Sequence, residues 1–182
     1  FAKEIIFGEG VKGIPANFCY KNTNLMSVVL SSTITLIANN AFGYTQNLKT
    51  LVIPEDSSIT AIGDKAFISS GITDVKFNNV ETIGAQAFRS CKSLTSVELG
   101  SNVKSIGESA FEHTANWGGN PLGRINYISF PSSLTDMGES AFQNNGQLKA
   151  VAIPEKITDI KPYTFAGCHP RSVWHRGRNP CH

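Results

Sequence analysis

The chain has 182 residues, 41% of them hydrophobic and 16% charged, with a formal net charge of +2. That length fits one domain with a substantial core, and the low charge content excludes an acidic disordered tail or a nucleic-acid-binding arm. No apolar run approaches the roughly 18 residues of a membrane helix. All 14 acidic residues precede residue 169, whereas Arg171, Arg176 and Arg178 follow it, so residues 1–168 carry 13 − 14 = −1. A near-neutral body gives no electrostatic reason to expect nucleic acid or anionic lipid. Phe1 stands directly in a strand-like segment with no signal peptide before it, which reads as a mature form or an excised piece.

Self-similarity is the main signal. From the N-terminus, Phe18, Phe42, Phe67, Phe88, Phe111, Phe142 and Phe165 follow at intervals of 24, 25, 21, 23, 31 and 23 residues. Seven units of about 23 residues result. Four or five positions before each phenylalanine stands Ile14, Ile37, Ile62, Ile83, Ile106, Met137 or Ile160. Three positions earlier again comes Val11, Ile34, Ile59, Val80, Val103, Leu134 or Ile157. Before that lies an alternating triplet such as Leu48/Leu51/Ile53, Ile72/Val75/Phe77 or Leu148/Val151/Ile153.

Each column has a physical reading. In Val97-Glu98-Leu99 and Val151-Ala152-Ile153, two aliphatics flank a residue of opposite orientation, a short strand of period two. Pro54, Gly100, Pro131 and Pro154 end such strands. A second apolar pair, as in Val103/Ile106, begins the return path, where Gly63, Gly84, Gly107 and Gly138 are expected to permit a tight turn. The following Glu-Ser-Ala-Phe or Ala-Gln-Ala-Phe predicts one helical turn that points the phenylalanine inward. One unit cannot bury its apolar face alone, whereas stacked units can. With coils about 4.8 Å apart, the phenylalanines would form a continuous aromatic spine.

The pattern Leu-x-x-Val-x-Ile-Pro…Val-x-x-Ile-Gly-x-x-Ala-Phe-x-x-Cys resembles the BspA-like leucine-rich repeat and covers about residues 2–168. The resemblance implies an α/β repeat solenoid, a curved right-handed superhelix, here of about seven coils with short strands on one face. It further implies surface or secreted proteins of bacteria and some protists, similar to adhesins or host-interaction proteins, with the repeats as one region of a longer chain. Three departures stand out: a degenerate first unit, an insertion near 115–124 in the fifth, and a basic tail, 169–182, that matches nothing in the repeat. Disorder, a splice or out-of-frame origin and a functional element all remain open for that tail.

Cys19, Cys91 and Cys168 lie in the first, fourth and seventh units, each about 15 Å from the next and beyond the roughly 7 Å limit for bridged Cα atoms. Cys91 and Cys168 stand three residues after phenylalanine, a position that the resemblance implies is a small apolar slot, so they read as buried free thiols. Only Cys181 could pair with Cys168. The tail set Cys168, His169, His175, Cys181 and His182 fits no standard zinc spacing. Around His113, the one histidine outside the tail, no nucleophile-elbow motif starts a catalytic set. Glu55-Asp56, Glu108 and Glu112 read as solvated turn residues, and Gly118-Gly119 lacks the rest of a phosphate loop. No enzyme activity, metal or cofactor is expected.

Binding is expected on the strand face, where outward residues form a continuous surface. Its central column runs Ile6, Val29, Val52, Lys76, Glu98, Ser129, Ala152, and a neighbouring column runs Glu4, Ser27, Thr50, Asp74, Ser96, Tyr127, Ala150. Val29 and Val52 are aliphatics facing solvent, either for strand propensity alone or as a contact strip. In the insertion, Trp117 and Arg124 are a pair of the kind enriched at hot spots, or else Trp117 and Leu122 fold back as a lid. The expected function is non-enzymatic protein recognition or adhesion through Val29, Val52, Lys76, Glu98, Trp117, Arg124 and Tyr127. The expected partner is a host or extracellular-matrix protein. A passive spacer and an accessory domain of a larger enzyme are the alternatives. Location at the cell surface or outside the cell is expected, with weak self-association through exposed coil ends and neither nucleic-acid binding nor membrane insertion.

Overall fold

The structure, a computed structural model, describes residues 2–114, 127–146, 148, 150–168 and 172–175. In chain order its strands are β1 (Glu4–Ile6), β2 (Gly13–Ile14), β3 (Ser27–Val29), β4 (Leu36–Ile37), β5 (Thr50–Val52), β6 (Ala61–Ile62) and β7 (Asp74–Lys76). They continue with β8 (Thr82–Ile83), β9 (Ser96–Glu98), β10 (Ser105–Ile106), β11 (Tyr127–Ser129), β12 (Asp136–Met137), β13 (Ala150–Ile153) and β14 (Ser172–His175). Every pairing is parallel and joins equivalent residues of neighbouring coils, such as Ile6 to Val29 to Val52 and Ile37 to Ile62 to Ile83.

The chain is therefore a parallel β-solenoid with two strand faces. The return strands form one unbroken sheet in the order β12-β10-β8-β6-β4-β2. The longer strands form β1-β3-β5, β7-β9 and β11-β13-β14, with β5 beside β7 and β9 beside β11 but no assigned strand pairing across either break. Strand β14 lies within the segment read as tail.

Two details of the expected fold are corrected. The solenoid has about six complete turns rather than seven: the last unit supplies β13 and Phe165 but no return strand. There Ile160 is 44% exposed and Lys161 stands where the inner coils have glycine. Nor is the architecture α/β, since among the described residues no segment is helical. The turn expected to be helical is instead an arch with left-handed residues on either side of Ala-Phe. In the central coils these are Lys65 and Ser69 (φ 57° and 52°), Gln86 and Ser90 (57° and 60°), and Ser109 and His113 (53° and 55°). Left-handed backbone interrupts a right-handed helix.

The arch's amides then divide their bonds. Those of Lys65, Phe67 and Ser69 donate to Ala85, Ala87 and Arg89 of the next coil, and those of Ala66, Ile68 and Ser70 close turns onto carbonyls three residues back. The backbone is thus paired without a helix.

Inside the arch the phenylalanines stack as expected. Ring centroids from Phe42 through Phe67, Phe88 and Phe111 to Phe142 are 5.2–5.3 Å apart with interplanar angles of 7–15°, and Phe165 follows at 5.7 Å. Phe18 meets Phe42 edge-on at 6.5 Å and is 45% exposed. A second set of rings, Phe7, Phe77 and Phe130, flanks the spine from the strand ends, against Phe18, Phe88 and Phe142.

The repeat glycines serve for space rather than turn freedom, because among the described glycines only Gly10 and Gly167 have left-handed φ. A Cβ on Gly107 would lie 2.5 Å from the Ala85 nitrogen, and one on Gly138 would lie 2.4 Å from that of Glu108. Ala38 holds the same place near the N-terminal end, where its bond to the coil before is 3.0 Å instead of the 2.8 Å of Gly63, Gly84, Gly107 and Gly138.

Candidate functional site

The strand face carries the outward columns. Inward-pointing Val28, Val75, Val97, Ile128 and Val151 are buried, Ile5 and Leu51 partly so, and Asp74, Lys76, Ser96, Glu98, Ser129 and Ala152 face solvent. Register brings Ile6, Val29 and Val52 side by side: Ile6 is 67% exposed, Val52 43%, and Val29 is half-buried between them. Met26, just before β3, adds a further exposed apolar side chain.

Beyond the first break, Lys76 and Glu98 are register partners. Lys76 also approaches Glu55 at 3.9 Å, with both side chains in solvent, where such a pair contributes little. Tyr127 is placed by β11, in register with Ala150. Trp117 and Arg124 lie outside the described residues, as do Leu122 and Cys181. The structure thus groups Val29 with Val52 and Lys76 with Glu98, and the missing ladder between β5 and β7 separates the pairs.

The slot three residues after phenylalanine is polar rather than apolar, correcting the sequence expectation. Thr45 donates to the Phe42 carbonyl at 2.6 Å, and Thr114 donates to that of Phe111 and meets Asn145. Asn145 Nδ2 donates to the carbonyls of Phe111 and Phe142 at 2.7 and 2.9 Å. The Cys91 and Cys168 thiols donate to Phe67 and Phe142, each at 3.0 Å. These side chains bond to arch carbonyls, and at Phe67 the Cys91 thiol adds a second bond to the one the Ser70 amide already makes. Thr45, Ser70, Thr114 and Asn145 at one offset were the visible signal for this column.

The three described cysteines, Cys19, Cys91 and Cys168, are free. Burial pushes the Cys91 thiol up to about 12, against smaller opposing bonds from Ser70, and that of Cys168 up to about 11. Burial also raises Cys19. Protonated thiols in a dry column are poor nucleophiles.

Glu112 is not the solvated turn residue expected. Its side chain is 9% exposed and held by Arg89, with Nε to Oε2 at 3.1 Å and Nη2 to Oε1 at 3.4 Å. His113 Nδ1 lies 3.5 Å from Glu112 Oε1, while its Nε2 lies 2.7 Å from Asn144 Nδ2. An acid does adjoin the histidine, but among the described residues its side-chain partners include no hydroxyl or thiol. Among the described residues no cluster of metal-ligating side chains occurs, and no helix is long and apolar enough to cross a membrane.

Comparison with known proteins agrees with this architecture. The BspA type Leucine rich repeat region matches in six copies over residues 12–117 and 122–173. A leucine-rich repeat protein from Bacteroides ovatus is similar at 21% identity and a TM-score of 0.70, over 94% of this chain and 48% of that one. The T. pallidum leucine rich repeat protein is similar at 20% identity and a TM-score of 0.58, over 95% of this chain and 72% of that one. The pneumococcal vaccine antigen PcpA is similar at 15% identity and a TM-score of 0.50, over 97% and 57%. The chain spans about half the length of the B. ovatus protein. No curated protein matches it in sequence. With six matched copies laid over a parallel solenoid of about six turns, the chain belongs to the BspA-type leucine-rich-repeat family.

Proposed function

We propose that the chain is a non-enzymatic protein-recognition module of a bacterial surface or secreted protein, which binds a host or extracellular protein through its strand face. The observation that carries this reading is the in-register strip Ile6–Val29–Val52, apolar and wholly or partly open to solvent on the strand face. Exposed contiguous apolar surface is costly unless something covers it. Lys76 and Glu98 extend the contact with charge, Tyr127 continues it along the strand face, and Trp117 and Arg124 are proposed to contribute to binding as well. The family, and the likeness to PcpA, a vaccine antigen, support a surface or secreted location. Self-association through the coil ends, where Phe18 closes the spine half in solvent, is a weaker contact of the same kind.

The test is binding of the full chain to a panel of immobilised extracellular-matrix proteins. Val52→Asp should weaken the interaction by about tenfold or more, as loss of a central apolar contact does, with little change in melting temperature. Trp117→Ala should act likewise, and deletion of 176–182 should not matter. A panel that captures nothing supports the second reading, a passive spacer, which the unbroken return sheet and stacked spine also suit.

A further inference from the structure

The outward column changes character along the solenoid. Ile6, Val29, Val52, Lys76 and Glu98 are bulky, whereas Ser129 and Ala152 are small. Where they shrink, the strand face sinks into a trough. One stretch lies between Glu98, Leu99, Ser101 and Ser129, and the next between Ser129, Phe130, Ser132 and Ala152. Ser129 lines both, so the two stretches adjoin at β11, one on its β9 side and the other on its β13 side. The turns after each strand, with Pro131, Pro154 and Lys156, line it as well.

Three properties select a ligand. The lining alternates hydroxyls (Ser101, Ser129, Ser132) with apolar surface (Phe130, Pro131, Pro154), which matches a sugar ring's hydroxyl edge and its C–H face. The step from coil to coil, given by the 5.2 and 5.3 Å between Phe88, Phe111 and Phe142 beneath, is close to the length of one pyranose residue. An extended peptide returns to the same face only every ~6.6 Å and falls out of step with successive coils. The charges along the trough, Glu98, Glu155 and Lys156, are net negative, which disfavours phosphate, sulfate or uronate.

We propose that this trough binds a neutral linear oligosaccharide, one sugar per coil, its apolar faces on Phe130 and the prolines and its hydroxyls on the serines, Glu98 and Lys156. The site is separate from the Ile6–Val29–Val52 strip and does not depend on protein recognition there.

Calorimetric titration of the full chain with cellotriose, chitotriose and trigalacturonate tests it, beside an unstructured tripeptide. At least one neutral trisaccharide should bind, and trigalacturonate should bind more weakly. Ala152→Leu, which restores the bulk of the earlier strands, should weaken the neutral sugar by about tenfold or more by filling its place, and Ser129→Leu is the second variant should the first fail to fold. Val52→Asp should leave sugar binding unchanged, so that failure of the protein-recognition reading is seen separately. The proposal is overturned if neither neutral sugar binds at millimolar concentration, if both filled variants bind as the parent does, or if the anionic sugar or the peptide binds more tightly.

Discussion

The phenylalanine column and the outward strand column both recur once per coil, yet they obey opposite rules. Inside, the residue never changes, because each ring is the packing surface for the next and a substitution in one coil leaves two neighbours without contact. Outside, the column passes from aliphatic (Ile6, Val29, Val52) through charged (Lys76, Glu98) to small (Ser129, Ala152), because no coil depends on what its neighbour presents to solvent. A repeat protein writes stability in what it holds constant and recognition in what it lets vary.

The largest effect should come from breaking the inner column at its centre. Phe88 is fully buried and stacks on both sides, at 5.3 Å on Phe67 and 5.2 Å on Phe111. Phe88→Ala should cost about 3–5 kcal/mol in chemical denaturation, from lost transfer energy and the cavity left behind. Phe18 tests the same column where it meets solvent. With Phe42 edge-on, Phe7 tilted against it and nearly half its surface exposed, Phe18→Ala should cost about 1–1.5 kcal/mol. Equal losses at the two positions would mean that the rings do not act as a stack.

Next in size is the spacing of the coils. Gly107→Ala would set a Cβ against the Ala85 nitrogen and the Gly84 carbonyl carbon, 2.5 and 2.6 Å away. Since both are backbone, no side chain can swing aside, and a loss of about 1–3 kcal/mol is expected. Ala38→Gly, at the equivalent place near the N-terminal end, should lower stability by no more than about 1 kcal/mol, the helixless chain-entropy cost of glycine. Melting curves of the two variants compare a tight coil junction with a relaxed one. Indistinguishable curves would contradict close approach as the reason for glycine.

Much of this was legible in the sequence, and the reason lies in the repeat. Seven aligned phenylalanines and their aliphatic companions gave the core, the strand positions and the family, because burial demands the same residue type in every coil. The arch was misread because Glu-Ser-Ala-Phe has ordinary helical propensity, while its left-handed residues (Ser109 and His113, for example) are not glycines and carry no local mark. Glycines at 63, 84, 107 and 138 were correctly singled out but for the wrong cause, since contact with the previous coil leaves no trace in one unit. The polar slot was hidden by its two cysteines, although Thr45, Ser70, Thr114 and Asn145 share their offset. Of the site, Val29 beside Val52 and Lys76 beside Glu98 followed from register. The trough at Ser129 and Ala152 was missed because small residues look uninformative until their larger counterparts are lined up beside them.

The smallest effect concerns that buried slot and appears only in alkali. Cys91 ordinarily would ionise at 9.0, but burial holds it near 12 in the fold. A folded-state value raised above the unfolded one means that its contribution is complete below about 9 and is lost progressively as pH rises toward about 12. In that window the unfolded chain releases the proton and the folded chain does not. Ser70 shows that a hydroxyl fits the column, so Cys91→Ser should keep the bond to the Phe67 carbonyl while removing the titration. Every other side chain is common to the two proteins and cancels in the difference. Urea midpoints measured from neutral pH up to about 10.5 should therefore fall more steeply for the parent than for Cys91→Ser. Parallel slopes would place the thiol within reach of water and make the inner column as open to solvent as the outer one.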